Sequence, residues 1–168
     1  MWIKEAEKLF DALNRQFDLF KWEPDNLYTL RHKIRKWATT PIEVKWGTSR
    51  LVFITHNFVI KINLYKEGTE NEDEVKFYKM AKRDGFDYLF VKPETFYRNN
   101  HMIVVMSTIH NIDTRRGWAQ SFVDDEERAW LDDHVMDLHS GNYGFDNYGH
   151  LVIFDYAMNF EQEEEDGN

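Results

Sequence analysis

Apolar positions along the chain change their spacing twice, and each change predicts a different kind of element. Trp2, Ile3, Ala6, Leu9, Phe10, Leu13, Phe17 and Phe20 recur at steps of three and four, which predicts an amphipathic helix over residues 2–20. Pro24, with Asp25 behind it, marks a break. Leu27, Leu30, Ile34 and Trp37 then trace the apolar face of a second helix. Its other face carries Arg31, Lys33, Arg35 and Lys36, a basic cluster that reads as a solvated face or as a phosphate- or partner-binding one. Thr39-Thr40-Pro41 closes this helical arm. From Ile42 the period becomes strand-like: Ile42–Trp46, Leu51–Ile54 and Phe58–Ile62 are short β-rich runs separated by Gly47-Thr48-Ser49 and Thr55-His56-Asn57.

Helical spacing returns at Glu70, Asn71, Glu72, Asp73 and Glu74, followed by Val75, Phe77, Tyr78, Met80 and Ala81. The acidic first turn suits the positive end of the helix dipole, and Lys82-Arg83-Asp84-Gly85 supplies a basic last turn and a glycine stop. Extended segments follow at Tyr88–Val91 and Thr95–Tyr97, then a turn at Arg98-Asn99-Asn100-His101 and the apolar strand Met102–Met106. Two short helices are expected over Ile112–Val123 and Glu126–Val135. A Gly/Asn/Asp-rich hairpin ends in the apolar strand Leu151–Phe154, which should be buried, and in Asp155. The whole predicts an α+β chain: a helical arm (1–40), a small β-rich lobe (41–107), a reduced helical lobe (108–160) and the acidic tail 161–168.

Composition narrows the partners. With 42% hydrophobic and 16% aromatic residues over 168 positions, the chain can bury a core. It has no apolar run of membrane-spanning length, and the acidic, amphipathic start Met1-Trp2-Ile3-Lys4-Glu5 is unlike a signal peptide. The absence of cysteine excludes disulfide and thiol chemistry and fits a cytoplasmic setting. A net charge of −9 disfavours direct nucleic-acid binding, whose affinity comes from Lys and Arg on phosphates.

The candidate chemistry is concentrated in D-L-H-S-G-N-Y-G-F-D-N-Y-G-H-L-V-I-F-D, from Asp137 to Asp155. A carboxylate and an amide oxygen suit a hard divalent cation, while a second carboxylate can orient an attacking hydroxyl, a set that metal-assisted phosphoryl transfer requires. The wording D-L-H-S-G-N followed by L-V-I-F-D-Y-A resembles the protein-kinase-like superfamily. It is closer to the small-molecule and bacterial branches, such as aminoglycoside phosphotransferases, than to eukaryotic protein kinases.

The resemblance spans residues 42–157 and implies a kinase-like fold with one Glu-bearing helix. On it, Asp137 falls on the catalytic Asp, Asn142 and Asp155 on the magnesium ligands, and Lys61 in Val59-Ile60-Lys61-Ile62 on the lysine that contacts the phosphates of ATP. Gly47, Thr48 and Ser49 would cover those phosphates, and Met106-Ser107-Thr108 would offer backbone groups to the adenine. Glu74 is the choice for the carboxylate that pairs with Lys61, with Glu70 and Glu72 as alternatives; Asp133 or His134 would lie near the catalytic loop. The sequence departs from the pattern in three places: one glycine stands in the phosphate loop, Val135 two places before Asp137, and Tyr156-Ala157 after Asp155. The implied function is transfer of the γ-phosphate of ATP, with magnesium, to a protein or small-molecule hydroxyl. The alternative is a catalytically degenerate kinase-like binding protein of phage type, blocking a host protein or mimicking nucleic acid through its acidic, aromatic surface.

Overall fold

The alternation that begins at Ile42 becomes a five-stranded antiparallel sheet with order β1-β2-β3-β5-β4. Its strands are β1 (Glu43–Trp46), β2 (Arg50–Ile54), β3 (Phe58–Asn63), β4 (Glu94–Arg98) and β5 (His101–Ser107). The computed structural model describes residues 2–22, 26–47, 49–65, 68–112, 122–135, 141–146 and 148–156. The chain forms two units, Met1–Val75 with Val91–Thr108 and Lys76–Phe90 with Ile109–Asn168.

In the first unit the sheet has two unlike faces, because side chains alternate along a strand. Val44, Leu51, Phe53, Ile60, Ile62, Phe96, Ile103 and Val105 share one core with Ala6, Phe10 and Leu13 of helix α1 (Ile3–Phe17) and Leu27, Leu30 and Ile34 of helix α2 (Leu27–Trp37). Within the helical arm expected over residues 1–40, α1 and α2 thus build their core together with the sheet. The intervening positions Arg50, Val52, Lys61 and Val104 lie on the other face, with Val52 opposite Lys61 and Lys61 opposite Val104.

Three tight turns set the register. Gly47 N–H donates to Arg50 O at 3.0 Å, and Thr55 N–H donates to Phe58 O at 2.9 Å. Asn99 and Asn100 both have positive φ, 51° and 65°, the backbone of a two-residue hairpin loop that asparagine tolerates. The first helix ends earlier than its apolar pattern predicts. Asp18 takes a left-handed conformation at φ 50°, Asn14 Oδ1 accepts from Leu19 N–H at 2.9 Å, and a 3-10 turn, Leu19–Lys21, carries Leu19 into the core.

The Arg98 guanidinium ties β4 to α1, reaching Asp11 Oδ1 at 2.8 Å and Asp11 Oδ2 at 3.0 Å. Its hydrogen bond holds the Asp11 carboxyl below the ordinary aspartate value. A depressed pKa gives stability that is present above the unfolded value and lost as pH falls through the folded one. Thermal melts taken downward from neutral pH should therefore show an acid-side loss that Asp11→Asn reduces, by at most about 1 kcal/mol for a pair this exposed. An unchanged acid limb in Asp11→Asn would show the pair to be energetically silent.

In the second unit a three-stranded sheet runs β6 (Asn111–Ile112), β7 (Tyr143–Phe145), β8 (Leu151–Ile153). The helix expected from Ile112 is corrected at its start: Asn111 and Ile112 pair antiparallel with Phe145 and Gly144, and residues 113–121 lie outside the described ones. The next helix, α4 (Asp125–His134), begins on a capping box in which Asp124 and Glu127 satisfy each other's backbone N–H. Leu151, Val152 and Ile153 are buried, while Phe154 is half-buried. An aromatic cluster of Phe77, Phe90, Trp130 and Tyr156 forms the centre of this unit, with Tyr156 5.4 Å from Phe77 and 5.0 Å from Phe90. Among the described residues no helix is long and apolar enough to cross a membrane. The acidic tail lies outside the described residues.

Candidate functional site

Two groups of candidate residues are placed, one in each unit. The first grows from the polar face of the sheet. Lys61 interrupts an apolar strand, so its stem is enclosed and its ammonium must find a partner or be neutralised. Helix α3 (Glu70–Asp84) supplies that partner: Lys61 Nζ donates to Glu74 Oε1 at 2.6 Å. Glu74 is fully buried and Lys61 is 5% exposed. Of the three acidic candidates on α3, Glu74 meets the lysine, whereas Glu72 Oε2 sits 3.4 Å from the Asn63 amide nitrogen and Glu70 Oε2 lies beside Gly68.

Two neighbours that the sequence reading passed over complete this group. Arg50 Nη1 donates to Glu74 Oε2 at 3.0 Å, and Arg50 is itself buried. Asn71, one turn before Glu74 and fully buried, donates through Nδ2 to Lys61 O at 3.0 Å and to Met102 O at 2.8 Å. The available signal was alternation: counting back two residues from Val52, which faces Lys61, lands on Arg50.

The other small-lobe positions are less committed. Gly47 closes the β1–β2 turn, and a Cβ there would meet nothing within 4 Å, so space does not demand a glycine. Ser49 O accepts from Leu64 N–H at 2.7 Å, and Thr48 lies outside the described residues. Met106 is buried opposite Val59. The Thr108 N–H is already engaged by Asn57 O at 3.1 Å.

The second group lies on the β7–β8 hairpin. Tyr143 pairs with Ile153, and one residue beyond, Phe154 N–H donates to Asn142 O at 2.9 Å. Asn142 and Asp155 therefore stand at the same open end of the hairpin, each half-buried. Tyr156, only 1% exposed, is held in the aromatic cluster and fixes the backbone directly after Asp155. The opposite end of the hairpin is an Asp146-centred turn: the His150 backbone N–H, 2.9 Å away, holds the Asp146 carboxyl below its ordinary value.

Asp137 lies outside the described residues. His134 is engaged by its own helix, with Nδ1 2.8 Å from Trp130 O and its ring stacked on Trp130, and Asp133 is exposed.

An amide oxygen and a carboxylate are hard donors of the kind magnesium takes, and that ion commonly uses one or two carboxylates together with phosphate oxygens and water. Asn142 and Asp155 fit this donor set. Among the described residues no cluster of three or more His, Asp or Glu forms a self-sufficient metal cage. A cavity of about 480 Å³ after α2 is lined by Arg35, Ala38, Thr39, Thr40, Pro41, Ile42 and Glu43; of the basic cluster on α2 it includes Arg35, and none of the residues matched to the kinase-like pattern borders it.

No protein-family model matches the chain. No curated protein matches it either. Among solved structures, a co-crystal structure of WbdD and the kinase inhibitor LY294002 is similar at 16% identity and a TM-score of 0.34, over 70% of this chain. The matched part is 32% of the WbdD chain.

Proposed function

We propose that the chain is a kinase-like phosphotransferase that moves the γ-phosphate of ATP, with magnesium, to a hydroxyl on a protein or small molecule. The observation that carries this reading is the buried Lys61–Glu74 pair, 2.6 Å between a strand lysine and a carboxylate of the helix that follows. A carboxylate at that distance aims the ammonium, as phosphate binding requires. In the proposed reaction Lys61 would contact ATP phosphate oxygens, and Asn142 and Asp155 would hold the magnesium. Magnesium bound there would supply charge neutralisation on the transferring group. Asp137 orients the acceptor hydroxyl and takes its proton as the oxygen bonds to phosphorus and the ADP oxygen leaves. Positioning and charge stabilisation supply most of the rate.

A second reading, a kinase-like scaffold acting as a binding protein on a host partner, is favoured by the exposure of Tyr28, Tyr65, Tyr97 and Tyr148 on a chain of charge −9. One experiment separates the two. Magnesium with ATP should raise the melting temperature, since a ligand at a hundred times its Kd adds about 2.7 kcal/mol, and radiolabelled phosphate should transfer in wild type and not in Asp137→Asn. No thermal shift, with transfer equal in both proteins, would overturn the phosphotransferase reading and leave the binding protein.

A further inference from the structure

A carboxylate held by one cation can still rotate about its last bond and exchange its two oxygens. Glu74 is held by two. Lys61 takes Oε1 at 2.6 Å and Arg50 takes Oε2 at 3.0 Å. The strand register explains how both reach it: Arg50 and Lys61 lie on the same face of neighbouring strands, offset by one alternation step, because Val52 stands opposite Lys61 and Arg50 opposite Asn63. The Arg50 backbone does a second job, since its carbonyl accepts the Gly47 N–H that closes the β1–β2 turn.

We propose that Arg50 is a positioning residue that fixes the plane of the Glu74 carboxylate, so that the Lys61–Glu74 pair is assembled before any nucleotide arrives. Asn71 works in the same direction from one turn earlier on α3, anchoring the helix to Lys61 O and Met102 O. A guanidinium keeps its charge at every pH the fold survives, so the Arg50 side of the clamp is a fixed cation. It also joins the turn expected over the phosphates to the lysine expected to contact them through one residue. This assignment deepens the phosphotransferase reading and rests on it for the role of Lys61, although the clamp itself can be measured without ATP.

The test uses the full chain labelled with ¹⁵N. The Lys61 ammonium signal is identified by its absence in Lys61→Arg, and its proton exchange with water is measured in wild type, Arg50→Met and Arg50→Lys. Exchange should quicken roughly tenfold or more in Arg50→Met, as expected when a charge-assisted hydrogen bond that orders its partner is lost, and stay near wild type in Arg50→Lys. Binding of magnesium with ATP should weaken in the same order. An Arg50→Met protein that melts earlier but exchanges its Lys61 protons at the wild-type rate would reduce Arg50 to a purely stabilising residue and overturn the proposal. Should Arg50→Met not fold, Arg50→Gln takes its place, and equal exchange in Gln and Lys variants is the overturning result. Wild type that binds no nucleotide would sink the phosphotransferase reading, while the exchange rates still decide the role of Arg50.

Discussion

Replacing Glu74 by alanine should destabilise the first unit by about 3–5 kcal/mol, the cost of removing one member of a buried ion pair. Glu74 is fully buried, and Arg50 and Lys61 are 8% and 5% exposed, so two cations would lose the same anion in a region with little water. Glu74→Gln should cost less, because its amide oxygen still accepts one hydrogen bond without supplying charge. Urea unfolding reads both, against Glu5→Ala on the exposed side of α1, which should stay within about 0.5 kcal/mol of wild type. A Glu74→Ala midpoint equal to that of Glu5→Ala would mean that the cluster contributes nothing to the fold.

Under the proposed phosphotransferase function, Asp155→Asn should slow phosphate transfer sharply in a protein that still folds. The substitution keeps the shape of the side chain, and the strand before it and Tyr156 after it are buried. If Asp155 holds magnesium, losing its charge forfeits several kcal/mol of charge stabilisation on the transferring phosphate, or roughly a hundred- to thousandfold in transfer rate. The magnesium-dependent part of the ATP thermal shift should vanish with it. Transfer at the wild-type rate in a folded Asp155→Asn protein would remove Asp155 from the site.

Much of the first unit was legible in the sequence because its periodicities are long and its partners are local. Leu27, Leu30 and Ile34 mark the buried stripe of α2 just as their spacing predicts, although Trp37, on the same stripe, is 39% exposed at the helix end. Lys61 could be singled out because it interrupts an apolar run. Glu74 could be preferred because it lies one turn before Phe77, which is buried. Arg50 was not legible in that way: a basic residue just after a turn reads as solvent-facing, and only the β2–β3 register and a carboxylate from α3 bring it inside. Ile112 failed for the converse reason. A two-residue strand has no period to detect, and its pairing with Gly144 is decided far along the chain. The break at Asp18 was hidden because apolar residues continue at helical steps beyond it, while an Asn14 side chain redirects the backbone.

Three of the four junctions in the five-stranded sheet are hairpins, and each can form from its own turn. The seam of β3 with β5 has no such turn, since α3 lies between the two strands in the chain. Closing a longer loop costs more entropy, so of the four seams this one carries the largest closure cost. Asn71 staples it, with one amide donating to a carbonyl on each strand. The finished setting of Lys61 therefore needs two long-range partners at once, β5 beside its strand and α3 over its ammonium.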